Sequence, residues 1–309
     1  MSHLNLQPGQ TAVITGAASG FGLELARLRA QKGLNLVLTD VQQEALDKVV
    51  AELTAAGAQV AALRGDVSRG EDIQALADLC LERFGVPHIV INNAGVAYGG
   101  LIWEAGPRDW EWVLGVNLWG VIHGVRVFTP LMLAEARKNP AYQGHIVNVA
   151  SMAGMLNSPN LGVYNVSKHA VVSLSETLYQ DLALVTDQVH ASVLCPYFVP
   201  TGIHQSHRNR PAELRTDAKP TASQLIGQAM SAKAVTSGKV TATDTAALVF
   251  NAIEANQFYV YTHPKAIGMV QVRMEDVMQA RNPTDPFAGK PEIGEQLKTA
   301  LRDALAKED

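Results

Sequence analysis

The stretch Thr11-Ala-Val-Ile-Thr-Gly-Ala-Ala-Ser-Gly-Phe-Gly22 decides the architecture that we predict for this chain. Its first five residues form a short apolar run typical of a strand, and an amphipathic segment from Leu23 to Lys32 follows the glycines. A strand, a glycine turn and a helix allow backbone amides at a helix N-terminus to approach a pyrophosphate without interference from Cβ atoms. The spacing is G-x3-G-x-G rather than the usual G-x-G-x-x-G, so the turn alone is weak evidence for a dinucleotide site.

The next apolar run, residues 34–39, ends at Asp40, eighteen residues past Gly22. A carboxylate at this place can accept both hydroxyls of an adenosine ribose and would repel a 2′-phosphate. Neither Ser19 nor Val41 supplies a cation for such a phosphate, so the sequence favours NAD over NADP as the cofactor. Asp40 is also placed to cap the following helix, a role that is compatible with ribose binding.

Strand and helix patterns continue to alternate beyond this point. Helices are predicted over 42–56, 71–84, 107–138 and 242–255, and strands over 58–63, 88–92, 145–150, 189–195 and 258–261. This alternation predicts an α/β fold of the Rossmann type, a doubly wound sheet of about seven parallel strands flanked by helices.

We expect one dinucleotide-binding and catalytic domain over residues 1–262. Within it, residues 202–240 are polar and are predicted to be irregular, and we interpret them as a substrate lid. A helical C-terminal extension, residues 263–309, is expected to pack on the same domain, with a charged helix from Glu292 to Lys307.

Tyr164-Asn-Val-Ser-Lys168 is the strongest candidate for chemistry, with Ser151 thirteen residues upstream. Residues four apart share a helix face, so the Tyr164 phenol and the Lys168 ammonium can meet. A fixed cation favours the phenolate, which can then take or return a hydroxyl proton. A serine hydroxyl from another element could hold the substrate oxygen. Such a pair also arises by chance as a half-buried aromatic ring beside an extended lysine.

Composition excludes several classes of protein. The chain has 309 residues, of which 47% are hydrophobic and 17% charged, and a net charge of −4 gives no footprint for nucleic acid. No apolar run reaches the ~20 residues of a membrane span. The first residues lack the pattern of a signal peptide, so we expect a cytoplasmic protein. Two cysteines, Cys80 and Cys195, indicate buried thiols rather than disulfides or a metal site.

Several short motifs occur together in one order along the chain. They are Thr15-Gly16-x3-Gly20-x-Gly22, Asp66-Val67, Asn92-Asn93-Ala94-Gly95, Asn117, Ser151 and Tyr164-x3-Lys168. In this order and at these spacings the chain resembles the short-chain dehydrogenase/reductase family over roughly residues 8–200. The joint occurrence is far more specific than any single motif.

The resemblance implies a role for each matched residue. The cofactor phosphates would lie against Gly16, Ser19, Gly20, Phe21 and Gly22, the ribose on Asp40, the adenine on Asp66 and Val67, and the central region beside Asn93, Ala94 and Gly95. Further cofactor contacts would come from Pro196, Val199 and Thr201. Tyr164 would be the general acid/base. Lys168 would hold the nicotinamide ribose and tune Tyr164, Ser151 would position the substrate oxygen, and Asn117 would anchor a water.

The family usually has glycine where this chain has Tyr197. The resemblance also implies a homodimer or homotetramer built on the helices carrying Asn117 and Tyr164.

We therefore expect an NAD-dependent oxidoreductase that interconverts a secondary alcohol and a ketone. The largely apolar loop 152–161, with Asn157 its polar exception, and Tyr98, Tyr197 and Phe198 suggest a hydrophobic or aromatic small-molecule substrate. An alternative is an NADPH-dependent carbonyl reductase, which Asp40 opposes. Another is a non-catalytic dinucleotide sensor, which would have no need of Ser151, Tyr164 and Lys168.

Some polar and aromatic residues are better explained by structure than by chemistry. A buried asparagine such as Asn117 inside a helix is costly unless its amide is satisfied, and a bound water would satisfy it. His169 points about 100° away from Lys168 around the helix and is interpreted as structural. The tryptophans 103, 110, 112 and 119 are expected in the core or at an interface. The basic cluster of His204, His207, Arg208, Arg210 and Arg215 is interpreted as a solvated face rather than a contact to an anionic substrate.

Overall fold

A seven-stranded parallel sheet forms the centre of the computed structural model, which describes residues 6–216 and 218–306. The strands are β1 (Thr11–Thr15), β2 (Asn35–Asp40), β3 (Val60–Arg64), β4 (Ile89–Asn92), β5 (Gly144–Val149), β6 (Val189–Cys195) and β7 (Tyr259–Tyr261). Their order is β3-β2-β1-β4-β5-β6-β7, and every neighbouring pair is parallel. The predicted fold class is confirmed. Because the order reverses between β1 and β4, a crevice opens there at the carboxyl ends of the strands.

Helices cover both faces of this sheet. They are α1 (Gly20–Gln31), α2 (Gln43–Ala55), α3 (Gly70–Phe84), α4 (Pro107–Leu114), α5 (Gly120–Lys138), α6 (Gly162–Val185), α7 (Ala222–Thr236), α8 (Ala242–Glu254), α9 (Ile267–Met278) and α10 (Pro291–Leu305). Successive side chains of a strand point to opposite faces, and in β1 Ile14 packs in a cluster with Leu25 and Phe250, whereas Val13 packs in a second cluster with Phe128. With both faces covered, the strands are apolar throughout rather than alternating.

The long helix predicted over 107–138 is present but is not regular. A π-helical turn, Gly115–Trp119, joins α4 to α5, and the amide of Gly120 donates to the carbonyl of Gly115. Within the described residues, Pro107–Lys138 is the helix long and apolar enough to cross a membrane by length and composition. That is weak evidence, because the core helix of a soluble protein passes the same test.

The prediction that residues 202–240 are irregular is wrong. Two 3₁₀ helices, Gly202–Asn209 and Ala212–Leu214, are followed by α7. Thr221 and Gln224 form a reciprocal capping box at the start of α7. Helix α7 is built largely from small residues and so lacks a clear apolar stripe, which is why the helical period was missed; Thr221-Ala-Ser-Gln224 was the available signal.

The C-terminal extension is helical, as predicted. Helix α10 begins at Pro291, one residue before the predicted start, and packs against α7. The predicted end of this helix, Lys307, lies outside the described residues. The division into a domain of residues 1–262 and an extension of residues 263–309 stays a prediction.

Candidate active site

A cavity of about 620 Å³ lies at the carboxyl ends of β1, β2, β4, β5 and β6. Nearly all of the site residues proposed from the sequence line it. They are Gly16, Ser19, Gly20, Phe21, Asp40, Asp66, Val67, Asn93, Ala94, Gly95, Ser151, Tyr164, Lys168, Pro196, Val199 and Thr201. Gly22 and Asn117 do not line the cavity. They lie behind the lining residues, where Gly22 shapes the glycine turn and Asn117 holds the loop after β4.

The glycine turn has the geometry that a closely approaching ligand requires. Gly16 and Gly20 have φ of +64° and +55°, which disfavours other residues. A Cβ atom at Gly22 would lie 2.1 Å from the carbonyl oxygen of Gly16, so this position closes the turn onto α1. Helix α1 has no side-chain cap and no acidic residue in its first turn. Its partial positive charge is therefore left for an anion, which fits the pyrophosphate of a dinucleotide.

Asp40 is buried at the end of β2 and holds the turn in place. One carboxylate oxygen accepts from the amide of Ala18 and the other from the amide of Gln42, both at 3.0 Å. Each oxygen keeps acceptor capacity toward the cavity, which suits the hydroxyls of a ribose. Among the described lining residues the cations are Lys168 and Arg208, on α6 and after β6, several strands away from Asp40.

The loops after β3 and β4 complete the cofactor side of the cavity. Asp66 accepts from the amide and the hydroxyl of Ser68, at 2.9 and 2.7 Å. The side-chain amide of Asn93 donates to the carbonyls of Thr15 and Gly16, which ties the end of β4 to the glycine turn. A Cβ atom at Gly95 would lie 3.5 Å from the Lys168 ammonium, so the backbone there passes close to the proposed catalytic lysine.

Tyr164, Lys168 and Ser151 meet at the floor of the cavity. Lys168 is buried, donates to the carbonyl of Val149 at 2.9 Å, and has its ammonium 5.8 Å from the centre of the Tyr164 ring. Burial lowers the pKa of Lys168 to about 8. Burial also raises the pKa of Tyr164, and the hydrogen bond with Ser151 is the influence that lowers it. The expected lowering of the Tyr164 pKa by Lys168 is therefore not seen. Burial, which raises this pKa, is opposed by the hydrogen bond with Ser151, which lowers it.

Asn117 lies in the π-helical turn, fully buried. Its side chain accepts from the amide of Val96 at 2.8 Å and donates to the carbonyl of Val96 and the hydroxyl of Ser167, both at 3.0 Å. Ser167 in turn donates to the carbonyl of Tyr164 at 2.7 Å. Protein groups therefore satisfy this amide, and the anchoring of a water by Asn117 stays a prediction. Asn117 also fixes the loop after β4 relative to α6.

The other side of the cavity is mostly apolar and aromatic. Tyr98, Tyr197 and Phe198 line it as expected, and the rings of Tyr197 and Phe198 lie 4.3 Å apart between centroids. Trp112, a core residue, also lines the cavity, a position that the sequence did not reveal. Asn157 is exposed and does not line it, so it contributes no polar group there.

An ion pair fastens residues 202–240, the segment predicted to be a lid, and was missed by sequence reasoning. Arg210 donates to Asp109 at 2.6 Å, with side-chain exposures of 13% and 11%, and its guanidinium lies 5.2 Å from the centre of the Trp112 ring. A solvated face is thus the wrong interpretation for Arg210, although His207, Arg208 and Arg215 are exposed. The two partners are 101 residues apart, so no local pattern links them.

Other candidate groups take no part in the site. Cys80 and Cys195 are buried, and burial raises the pKa of each thiol to about 12. Within residues 6–216 and 218–306, no group of three or more His, Cys, Asp or Glu side chains is arranged to hold a metal ion. His169 bonds to the carbonyl of Asn165 on its own helix, at 2.9 Å.

Known proteins resemble this chain in sequence and in structure. The family model described as short chain dehydrogenase matches residues 10–212. The CLA biosynthesis dehydrogenase/reductase of Lactiplantibacillus plantarum is 33% identical over 86% of this chain and 92% of its own. The C alpha-dehydrogenase of Sphingobium sp. strain SYK-6 is 30% identical over 94% of this chain and 92% of its own. A crystal structure of a Burkholderia phymatum short chain dehydrogenase/reductase in complex with NAD has 53% identity and a TM-score of 0.88, over 90% of this chain and 98% of its own.

Proposed function

The chain belongs to the short-chain dehydrogenase family, and from its site we propose that it interconverts a secondary alcohol and a ketone with NAD, Tyr164 acting as the general acid/base. The observation that carries the proposal is the convergence of Ser151, Tyr164 and Lys168 on the same cavity as the glycine turn and Asp40. A site that only sensed a dinucleotide would have no need of the three proton-handling groups.

The residues of the chain divide the work between binding and proton transfer. NAD, when bound, would supply the acceptor for the hydride from the alcohol carbon. The glycine turn and Asp40 would hold its diphosphate and adenosine ribose, and Lys168 its other ribose. Ser151 would orient the substrate oxygen, and Tyr164 would exchange a proton with it. Because burial raises the pKa of Tyr164, the phenol is protonated near neutral pH, so oxidation is favoured as the pH rises and reduction as it falls.

NAD is favoured over NADP by the surroundings of Asp40. Its carboxylate would repel a 2′-phosphate. The cations that line the described cavity, Lys168 and Arg208, lie on α6 and after β6, several strands away from Asp40. The Burkholderia phymatum protein in complex with NAD supports the same choice. The lining of Tyr98, Tyr197, Phe198 and Trp112 supports a hydrophobic substrate.

A titration and an activity assay test the proposal. NAD and NADP would be titrated separately against the purified protein, and secondary aryl and alkyl alcohols then assayed by the absorbance of reduced nicotinamide. We expect tighter binding of NAD and turnover of at least one alcohol. Tighter binding of NADP would contradict the role given to Asp40.

Tyr164→Phe separates the dehydrogenase from a sensor. We expect kcat to fall about a thousandfold, the usual scale for loss of a general acid/base, with the Kd for NAD nearly unchanged. Tyr179→Phe, on the same helix with its side chain exposed, is the matched control and should keep full activity. Unchanged turnover in Tyr164→Phe would remove the proton-transfer role.

We also propose a homodimer or homotetramer built on α5 and α6. Trp119, Val166 and Leu184, in the π-helical turn before α5 and on α6, are large apolar residues at least 44% exposed. Exposed apolar surface of this kind marks interfaces. Sedimentation of the wild-type protein and of Val166→Glu would test the assembly, and an unchanged mass for the variant would contradict it.

A further inference from the structure

We propose that the lid carries a second, anion-binding part of the substrate site, so that the preferred substrate is an amphipathic secondary alcohol or ketone with a carboxylate remote from the reacting carbon. This inference rests on the proposed function, since it names the substrate class of the same site. Three features of the molecule support it: a second cavity, the charges that line this cavity, and the apolar surface of the reaction cavity beside it.

The second cavity, of about 860 Å³, lies under the lid beside the reaction cavity. The residues that line both cavities are Ala97, Tyr98, Trp112, Ser206 and Ser231. The two spaces therefore adjoin at a shared wall, and a substrate whose alcohol lies beside Tyr164 would have to extend past this wall to reach the second cavity. Part of the wall is fixed, because the Ser206 hydroxyl accepts from the amide of Ala97 at 2.9 Å.

The charges that line the second cavity favour an anion. Among the described residues they are the cations Arg108, Arg210, Arg215 and Lys219 and the carboxylates Glu104 and Asp109. Both carboxylates are engaged within the protein. Asp109 binds Arg210, and Glu104 accepts from the Ser223 hydroxyl at 2.6 Å.

Among the described residues, three of these cations have no carboxylate partner. Arg108, Arg215 and Lys219 form no ion pair within the part of the chain that the structure describes. Arg108 donates to the carbonyl of Arg215 at 2.7 Å, and Arg215 donates to the carbonyl of Arg210 at 3.2 Å. These bonds orient the two guanidinium groups without neutralising them. In a chain with a net charge of −4, the lid is thus a local positive region.

The chemistry of these groups defines the ligand. Guanidinium groups match the geometry of a carboxylate, and a nearby ammonium adds attraction. The reaction cavity is also lined by apolar side chains, among them Leu156, Leu214 and Val235. A ligand that satisfies both regions has a hydroxyl or keto group, an apolar body and a terminal carboxylate. A compact or uncharged alcohol would use the first cavity alone.

Matched pairs of substrates test the proposal on the wild-type enzyme with NAD. The probes are secondary hydroxy carboxylic acids of increasing chain length and their methyl esters, which differ only at one end, where the ester has a methyl group in place of the negative charge. We expect the acid to exceed its ester in kcat/KM by about tenfold above a minimum chain length, and the preference to shrink as salt is added. Ester turnover without preference for the acid at any length would overturn the anion site while leaving the dehydrogenase intact.

Variants locate the effect on the lid. In Arg215→Gln/Lys219→Gln we expect the acid-over-ester ratio to fall about tenfold, and in Arg215→Lys to change by less than about twofold. Lys233→Gln removes a single positive charge, on α7, and this residue lines neither cavity, so the variant should keep the wild-type ratio. An equal fall in Lys233→Gln would show a general field instead of a site and would overturn the proposal.

Discussion

The two halves of the site are built in different ways. The half proposed to bind the cofactor, from Gly16 to Gly95, is shaped by closely approaching backbone. Asp40 accepts from backbone amides there, and Asn93 donates to backbone carbonyls. The lid half is held by side chains from distant segments, chiefly Arg210 and Asp109 under Trp112. A site that binds one invariant ligand can be fixed by local backbone geometry. A site that recognises a particular substrate is assembled from long-range contacts that can be exchanged one at a time.

The largest effect is expected where the backbone is tightest. In Gly22→Ala the new methyl group would clash with the carbonyl of Gly16, so we expect a loss of about 2–3 kcal/mol in the free energy of unfolding and at least a tenfold weaker NAD Kd. Gly268→Ala, on α9 with no neighbouring atom within 4 Å of the place its Cβ atom would take, is the control and should stabilise by about 0.5–1 kcal/mol. Urea unfolding and NAD titration measure both, and a wild-type Kd in Gly22→Ala would refute the backbone argument.

The lid ion pair should matter more than an exposed one. A double-mutant cycle with Asp109→Asn and Arg210→Gln should give a coupling energy of about 1–3 kcal/mol. The expected functional effect is a raised KM for the alcohol with little change in the NAD Kd, since Arg210 also holds the carbonyl of Leu214 on the cavity wall.

An exposed pair provides the matched control for this cycle. Arg27 and Glu52 are in contact at 2.7 Å, with side-chain exposures of 38% and 47%. Their coupling energy should stay below about 1 kcal/mol and leave KM unchanged. Equal coupling energies for the two pairs would mean that burial under Trp112 adds nothing to the lid.

The smallest expected effect is on the choice of cofactor. Asp40→Asn keeps the shape of the side chain but removes its charge and one of its acceptor oxygens, so either Ala18 or Gln42 loses its partner. We expect NAD to bind about tenfold more weakly and NADP somewhat better, on the scale of one charged hydrogen bond. Competition titrations with the two cofactors measure the ratio. If the ratio does not move, the carboxylate is a structural cap and does not select the cofactor.

The cofactor half was largely predictable because its signals are local. The glycines, Asp40 and the small residues after β4 each stand directly at the end of a strand, and strand order then brings them to one edge. The resemblance of the ordered motifs to the short-chain dehydrogenase/reductase family predicted that Ser151, Tyr164 and Lys168 belong to the same site, and the family is confirmed. The alternation of strands and helices predicted the fold correctly because these signals are also local.

Prediction failed where the deciding contact is distant or the pattern is weak. Nothing near Arg210 indicates that it pairs with Asp109, and nothing near Asn117 indicates that Val96 and Ser167 satisfy its amide. Helix α7 was missed because small residues give no apolar stripe, although Thr221 and Gln224 marked its start. The direction of the Tyr164 pKa also depends on burial, which a sequence does not display.

Two glycines fasten the lid to the rest of the chain. A Cβ atom at Gly99 would lie 3.1 Å from the backbone of Gly227, and one at Gly227 would lie 3.0 Å from Gly99. This seam joins α7 to the loop after β4 through backbone contact, whereas Ser206 and Arg210 hold residues 205–216 through side chains. Side chains can be replaced one at a time, so we expect mutations in residues 205–216 to change which molecules are accepted more readily than mutations at the seam.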